Sequence, residues 1–358
     1  MKCIRCGHDS KFKDREGNQC PACKKLFAFE PKTGDKFTDQ AFKNAIDRVS
    51  SNGSVKFSER NLFYEVDRLR ARPGAGSWPA ALGWMVLGLV SILVAFAGPG
   101  FLVGVGIVLI IVAVAQIPRR GAKHVKLLWS DFQAAYGRWR AVHGEPRGVF
   151  SAKPTKKLGA GPQADAMRAE LAQYSFDRAV ITDTAATADL LLANDFHFEN
   201  NCAVLSVDGH PAHAFDTVRE MLRNNPKIEV FALHDCTPGG CELAWTLKRD
   251  PAWFKDIGQV FDVALRPAQA RKMKASWQAG SGIVAEHPAL TEDERTFLAE
   301  NTVELAAIRP EQLIKRLFRA MTLLPAAAGS GGDGGGSDGT MVWTTEAHAS
   351  DGGGDAFG

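Results

Sequence analysis

The chain has 358 residues, 45% of them hydrophobic and 23% charged, with 43 Lys+Arg against 40 Asp+Glu, 35 Gly and 7 Cys. That length suggests more than one domain, and the composition excludes a wholly disordered, collagen-like or disulfide-dense protein. The formal charge of +3 hides an asymmetry: residues 325–358 hold five acids and no Lys or Arg, leaving 43 bases against 35 acids, a net +8, on the first 324 residues. A mildly basic body suits an anionic partner such as nucleic acid or a membrane surface.

The N-terminus reads Cys3-x-x-Cys6, thirteen residues, then Cys20-x-x-Cys23, with Gly7 and Pro21 tightening the two turns. Two such pairs can bring four thiolates to one tetrahedral zinc ion, and a ribbon over residues 1–30 has little else to fold around. Four thiolates close the coordination sphere, so a structural or recognition role is expected, not a catalytic zinc. Cys202, Cys236 and Cys241 lack such spacing and read as small buried residues.

Residues 36–72 read as two helices, the first closing at Asn52-Gly53 and the second capped by Ser58. In the second, Leu62, Phe63, Val66 and Leu69 form one apolar stripe at about 100° per residue. Tyr64 falls almost opposite, beside Arg60, Asp67 and Arg68. There it is either an exposed residue of a solvated helix or a phenol set among basic groups that bind phosphate and favour phenolate.

From Pro73 to Pro118 no residue is charged. The run splits at Gly98-Pro99-Gly100 into two apolar segments, each near the ~20 residues a spanning helix needs, so a transmembrane hairpin is expected over 79–117. Basic flanks, Arg68 to Arg72 before and Arg119 to Lys126 after, place both termini in the cytoplasm of a two-pass inner-membrane protein. An amphipathic helix and a Pro/Gly/Lys linker follow over 119–162.

Residues 163–324 alternate short apolar runs (RAVIT, CAVLSVD, IEVFALHD) with helical patterns, which implies an α/β domain with a largely parallel sheet. Thr291, with Glu294 three residues on, marks a capped helix near its end. Asp183, Asp208 and Asp235 each follow an apolar run, where parallel strands end and α/β proteins build their sites. Together they could hold Mg²⁺; singly, each could be an ordinary helix cap or turn residue. Residues 325–358, rich in Gly and acids, are expected to be disordered.

VITDTAATADLLLAN, LSVDGHPAHAFDTVREML and VFALHDCTPGGCELA, in that order, resemble the Toprim domain of the topoisomerase VI A-subunit superfamily, which includes the meiotic break-forming transesterases. Asp183 falls on the family's first acid, Gly209 to Pro211 on its Gly-x-Pro turn, and Asp235 to Gly240 on its Asp-x-Asp-Pro-x-Gly motif. SERNLFYEV resembles the winged-helix motif that carries the nucleophile, with Arg60 on its Arg and Tyr64 on the reactive Tyr. The resemblance implies a Mg²⁺-dependent DNA transesterase acting as a homodimer. Two departures weigh against retained chemistry: Asp183 replaces the usual Glu, and Thr237 replaces the second Asp, a neutral hydroxyl in place of a charged ligand. The expected function is therefore a membrane-tethered, catalytically degenerate protein that binds DNA or a protein partner. An active transesterase using Tyr64 and a zinc-ribbon membrane adaptor are the alternatives.

Overall fold

The computed structural model describes residues 1–71, 124–151, 176–225, 227–254, 259–263, 265–273 and 276–329, with short helical pieces between 83 and 109. The N-terminal ribbon is a pair of matched turns joined by isolated bridges, Lys2 to Asp9 and Gln19 to Leu26. Helix α1 (Asp39–Val49) starts at Thr38, whose Oγ1 accepts from the Ala41 N–H at 3.1 Å. Helix α2 (Glu59–Ala71) starts at Ser58, whose Oγ accepts from the Asn61 N–H at 3.3 Å. Each cap satisfies a donor that the first helical turn leaves without a carbonyl. Between the two helices Ser51, Asn52 and Gly53 all have positive φ, the reversal that Asn-Gly predicted.

Helix α3 (Trp129–His143) packs on these two. Phe42 of α1 stacks on Trp139 of α3 at 4.9 Å between centroids, and Phe63 of α2 meets Trp129 and Phe132 edge-on at 5.3 and 5.6 Å. Asp39, wholly buried, fastens the ribbon to this helical layer. Its carboxylate accepts from the backbone N–H of Ala28 and Phe29 at 3.1 and 3.0 Å and lies 2.6 Å from His143 Nε2.

The α/β unit is built on strands β1 (Arg178–Thr182), β2 (Cys202–Ser206), β3 (Glu229–Leu233) and β4 (Val260–Asp262), all parallel in the order β2-β1-β3-β4. Four of the five residues of β1 and of β3 are buried, as continuous apolar runs of a sheet covered on both faces should be. Helices α4 (Ala185–Ala193), α5 (Phe196–Glu199), α6 (Phe215–Asn224), α7 (Pro238–Leu247) and α8 (Pro267–Ala270) follow the strands. A two-residue antiparallel pair, β5 (Gln278–Ala279) with β6 (Asn301–Thr302), encloses α9 (Glu292–Glu300). Thr291 and Glu294 cap α9 reciprocally, as expected. Helix α10 (Pro310–Gly329) comes last among the described elements.

Two expectations fail or shift here. The transmembrane hairpin over 79–117, and with it the membrane association and two-pass inner-membrane placement with cytoplasmic termini, is not supported. Among the described residues no helix is long and apolar enough to cross a membrane. Apolar composition makes a span affordable, but a span also needs ~20 continuously helical residues. Of that stretch only short helical pieces, Met85–Leu87 and Ile107–Leu109 among them, belong to the described residues, and the rest of it lies outside them. At the other end, α10 carries helix through Pro325 to Gly329, past the expected start of the tail, while 330–358 lie outside the described residues.

Candidate functional site

In the order β2-β1-β3-β4 the connection from β1 leads to one side and that from β3 to the other, so the crevice beyond their carboxyl ends is the sheet's topological switch point. Asp183 stands one residue past β1 and Asp235 two past β3. Asp183 Oδ2 accepts from the Asp235 backbone N–H at 2.8 Å, and Asp235 Oδ1 accepts from the Leu305 N–H at 2.6 Å. Asp183 Oδ1 is buried with no hydrogen-bond partner. Burial, then the Asp183 charge, pushes Asp235 up to about 7, and burial likewise raises Asp183. Two half-buried carboxylates that resist double ionisation, one with a free oxygen, are chemically suited to a divalent cation.

Asp208 does not complete a three-acid site. It is exposed, and its Oδ2 accepts from the Ala185 N–H at 3.1 Å, at the start of α4. It therefore takes the capping role that short acids at such positions commonly have. Thr237 also caps: its Oγ1 accepts from the Gly240 N–H at 3.1 Å and starts α7. Gly240 has to be glycine, since a Cβ there would stand 2.3 Å from the Asp235 carbonyl oxygen and 3.2 Å from Asp183 Oδ2.

Beneath the pair sits His234, wholly buried, with Nε2 at 3.0 Å from Asp262 Oδ1 and Nδ1 at 2.8 Å from the Asp235 carbonyl oxygen. Burial opposes its charge, yet the Asp262 carboxylate more than compensates and lifts it to about 9. The resulting imidazolium donates from both nitrogens and fixes the backbone that carries Asp235.

Tyr64 is not on a solvated face. It is fully buried, and its hydroxyl is hydrogen-bonded by Gln278 Nε2. The helical wheel failed because α2 is covered on both sides: aromatic α3 lies on one, and residues 304–309 on the other. Asn61 Nδ2 donates to the Ala306 carbonyl at 3.0 Å, and Glu65 pairs with Arg309 at 2.9 Å. Arg60 holds Glu304 through two bonds of 2.7 Å. Burial, then the nearby Glu304 charge, raises the Tyr64 phenol far above its ordinary value. Burial would raise Glu304 too, but the Arg60 guanidinium holds it below the usual glutamate range. Glu304 and Gln278 were missed by sequence reasoning. An isolated acid in the apolar run VELAAI was the available signal for the first, and nothing marked the second.

At the N-terminus Cys3, Cys6, Cys20 and Cys23 do converge: their sulfurs all lie within 4.8 Å of one another, with Cys3 to Cys23 at 3.8 Å and Cys6 to Cys20 at 3.6 Å. The two turns are built alike. The Gly7 N–H donates to the Cys3 carbonyl at 2.9 Å, the Lys24 N–H to the Cys20 carbonyl at 2.8 Å, and both Gly7 and Lys24 have positive φ. These four cysteines could hold a metal ion. Among the described residues they are the only group of three or more His, Cys, Asp or Glu so arranged. Cys202, Cys236 and Cys241 are buried. In comparisons with known proteins, no family model, no curated protein and no solved structure matches this chain.

Proposed function

We propose that this is a Toprim-like nucleic-acid-binding protein in which the transesterase chemistry has been given up. The observation that carries the reading is the burial of Tyr64. A nucleophilic phenol must reach a phosphodiester and part with its proton, whereas here the hydroxyl is tied to Gln278 and driven away from ionisation by burial and then by Glu304. The phenol serves instead as a link between α2 and the strand β5. Asp183 and Asp235 retain a weak site for Mg²⁺, short of the anionic ligand that Thr237 no longer supplies. The four thiols at the N-terminus suit Zn²⁺ best, as a soft tetrahedral sulfur set with no open position.

One arrangement favours the active-enzyme reading: the Arg60–Glu304 pair holds the Tyr64 helix next to the loop whose Leu305 N–H binds Asp235. In that reading a homodimer would have to release Tyr64 toward the partner's carboxylates. A covalent adduct assay with Mg²⁺ or Mn²⁺ and end-labelled DNA, comparing the natural chain with Tyr64→Phe, separates the two. The expected result is no adduct from either, with DNA binding that persists in EDTA and weakens with salt through counterion release. A Tyr64-dependent adduct would overturn the proposal.

A further inference from the structure

Both thiol-bearing turns of the ribbon are fastened to one pair of side chains in the helical layer. From the first turn Arg5, between Cys3 and Cys6, reaches the end of α3: its Nη2 donates to the Val142 carbonyl at 2.6 Å and lies 3.5 Å from His143 Nδ1. From the second, Phe27 packs against Cys3 and Cys20, and the next two residues, Ala28 and Phe29, donate their backbone N–H groups to Asp39 at 3.1 and 3.0 Å. His143 Nε2, 2.6 Å from Asp39 Oδ2, closes the circuit, with the Asp39 side chain fully buried and that of His143 only 8% exposed. The directions are complementary: Nδ1 accepts from Arg5 and Nε2 donates to Asp39. Phe29, fixed by its N–H bond, is itself wholly buried beside Phe42 and Trp139, with ring centroids at 5.3 and 6.3 Å. Helix α1 begins at Asp39 and α3 ends at His143, so these contacts join the start of one helix to the end of the other.

We propose that the ribbon is a metal-responsive latch on the helical layer. With the four thiols gathered around a metal ion, Arg5 and residues 27–29 are held where they meet His143 and Asp39. Loss of the metal releases both turns, since a thiolate set is what so small a ribbon folds around. Asp39 is then left with fewer donors in a buried place, a costly state that opening the start of α1 and the end of α3 relieves. Occupancy of the site is open to change from solution, because Cys6 is exposed and Cys23 half-buried, within reach of chelators and competing thiols. The inference rests on the four cysteines binding a metal and is independent of the nucleic-acid reading.

The test compares the full chain loaded with Co²⁺ and stripped by EDTA, using amide hydrogen exchange resolved by peptide, with the thiolate absorption of bound Co²⁺ reporting the loading. Removal of the metal should speed exchange in the first turn of α1 and the last turn of α3 about ten-fold or more, the factor that goes with losing one hydrogen bond to a charged group. Helix α4, in the α/β unit, should exchange equally in both states. Arg5→Gln, which alters no thiol, should keep the Co²⁺ absorption yet show the faster exchange at the end of α3 while loaded. If the chain takes up Co²⁺ but neither stripping nor Arg5→Gln changes exchange in α1 and α3, the latch is wrong while the metal site stands. Acceleration spread equally over α4 would also overturn it, because that is general unfolding and not release of these contacts. A chain with no thiolate absorption in Co²⁺ overturns the latch and the metal assignment together.

Discussion

Arg60 and Glu304, 244 residues apart, meet in a bidentate ion pair with two bonds of 2.7 Å, and the residue after Glu304 donates its N–H to Asp235. The pair thus couples helix α2 to the rim of the carboxylate site. Arg60→Ala should leave Glu304 half-buried without its cation and cost about 1–3 kcal/mol, the range for losing a charged hydrogen-bond partner. Glu304→Gln should cost less, because it leaves no acid behind. Chemical denaturation of the two variants at neutral pH checks the order.

The raised acids make stability pH-dependent with a defined sign. Asp235 titrates near 7 when folded and near ~4 when unfolded, so between those values the folded state binds more protons. Stability from this group is therefore full below about pH 4, falls as pH rises, and reaches its lowest level above about 7. Asp235→Asn keeps an oxygen for the Leu305 N–H and removes the charge. Its melting temperature should exceed the natural chain's at pH 8, with the gap closing toward pH 5. Added Mg²⁺ should raise the natural chain's melting temperature at pH 8 and leave the variant unmoved.

Gly239 and Gly240 adjoin, yet they should respond oppositely to alanine. A Cβ at 240 would collide with backbone at 2.3 Å, whereas at 239 it would meet nothing within 4 Å. Gly240→Ala should destabilise by roughly 2 kcal/mol or more through forced backbone movement, while Gly239→Ala should be neutral or slightly stabilising. Thermal unfolding of the pair, side by side, provides the measurement.

For the ribbon, the full chain should bind one Zn²⁺, replaceable by Co²⁺ with a thiolate charge-transfer band. Cys20→Ser should lose that band and expose residues 1–30 to proteolysis while leaving the α/β unit's melting transition in place. A stoichiometry of zero by elemental analysis would refute the assignment.

Much of the α/β unit was legible because buried parallel strands are written as short continuous apolar runs: RAVIT is β1, and CAVLSVD and IEVFALHD contain β2 and β3. The cysteine spacing and the Thr291–Glu294 cap were equally local signals. Tyr64 was misplaced because periodicity records one buried face, and here a segment more than 200 residues distant covers the other. Polar residues on that face are buried with partners, as with Glu65 and Arg309. Asp208 and Asp183 were alike in sequence, each an acid after an apolar run. Only the strand order showed that one joins Asp235 and the other caps a helix. Over 79–117 the hydropathy reading falls mostly on residues outside the described ones, and among the described residues no helix is long and apolar enough to cross a membrane.

Asp67, near the end of α2, accepts from the backbone N–H of Lys126 and Leu127 at 3.1 and 2.7 Å. Residues 59 and 60 positions further along the chain are thereby tied to the last turns of α2, so one carboxylate sets where the approach to α3 begins. Loss of the Asp67 carboxylate would loosen two segments at once, the end of α2 and the start of the stretch that leads into α3.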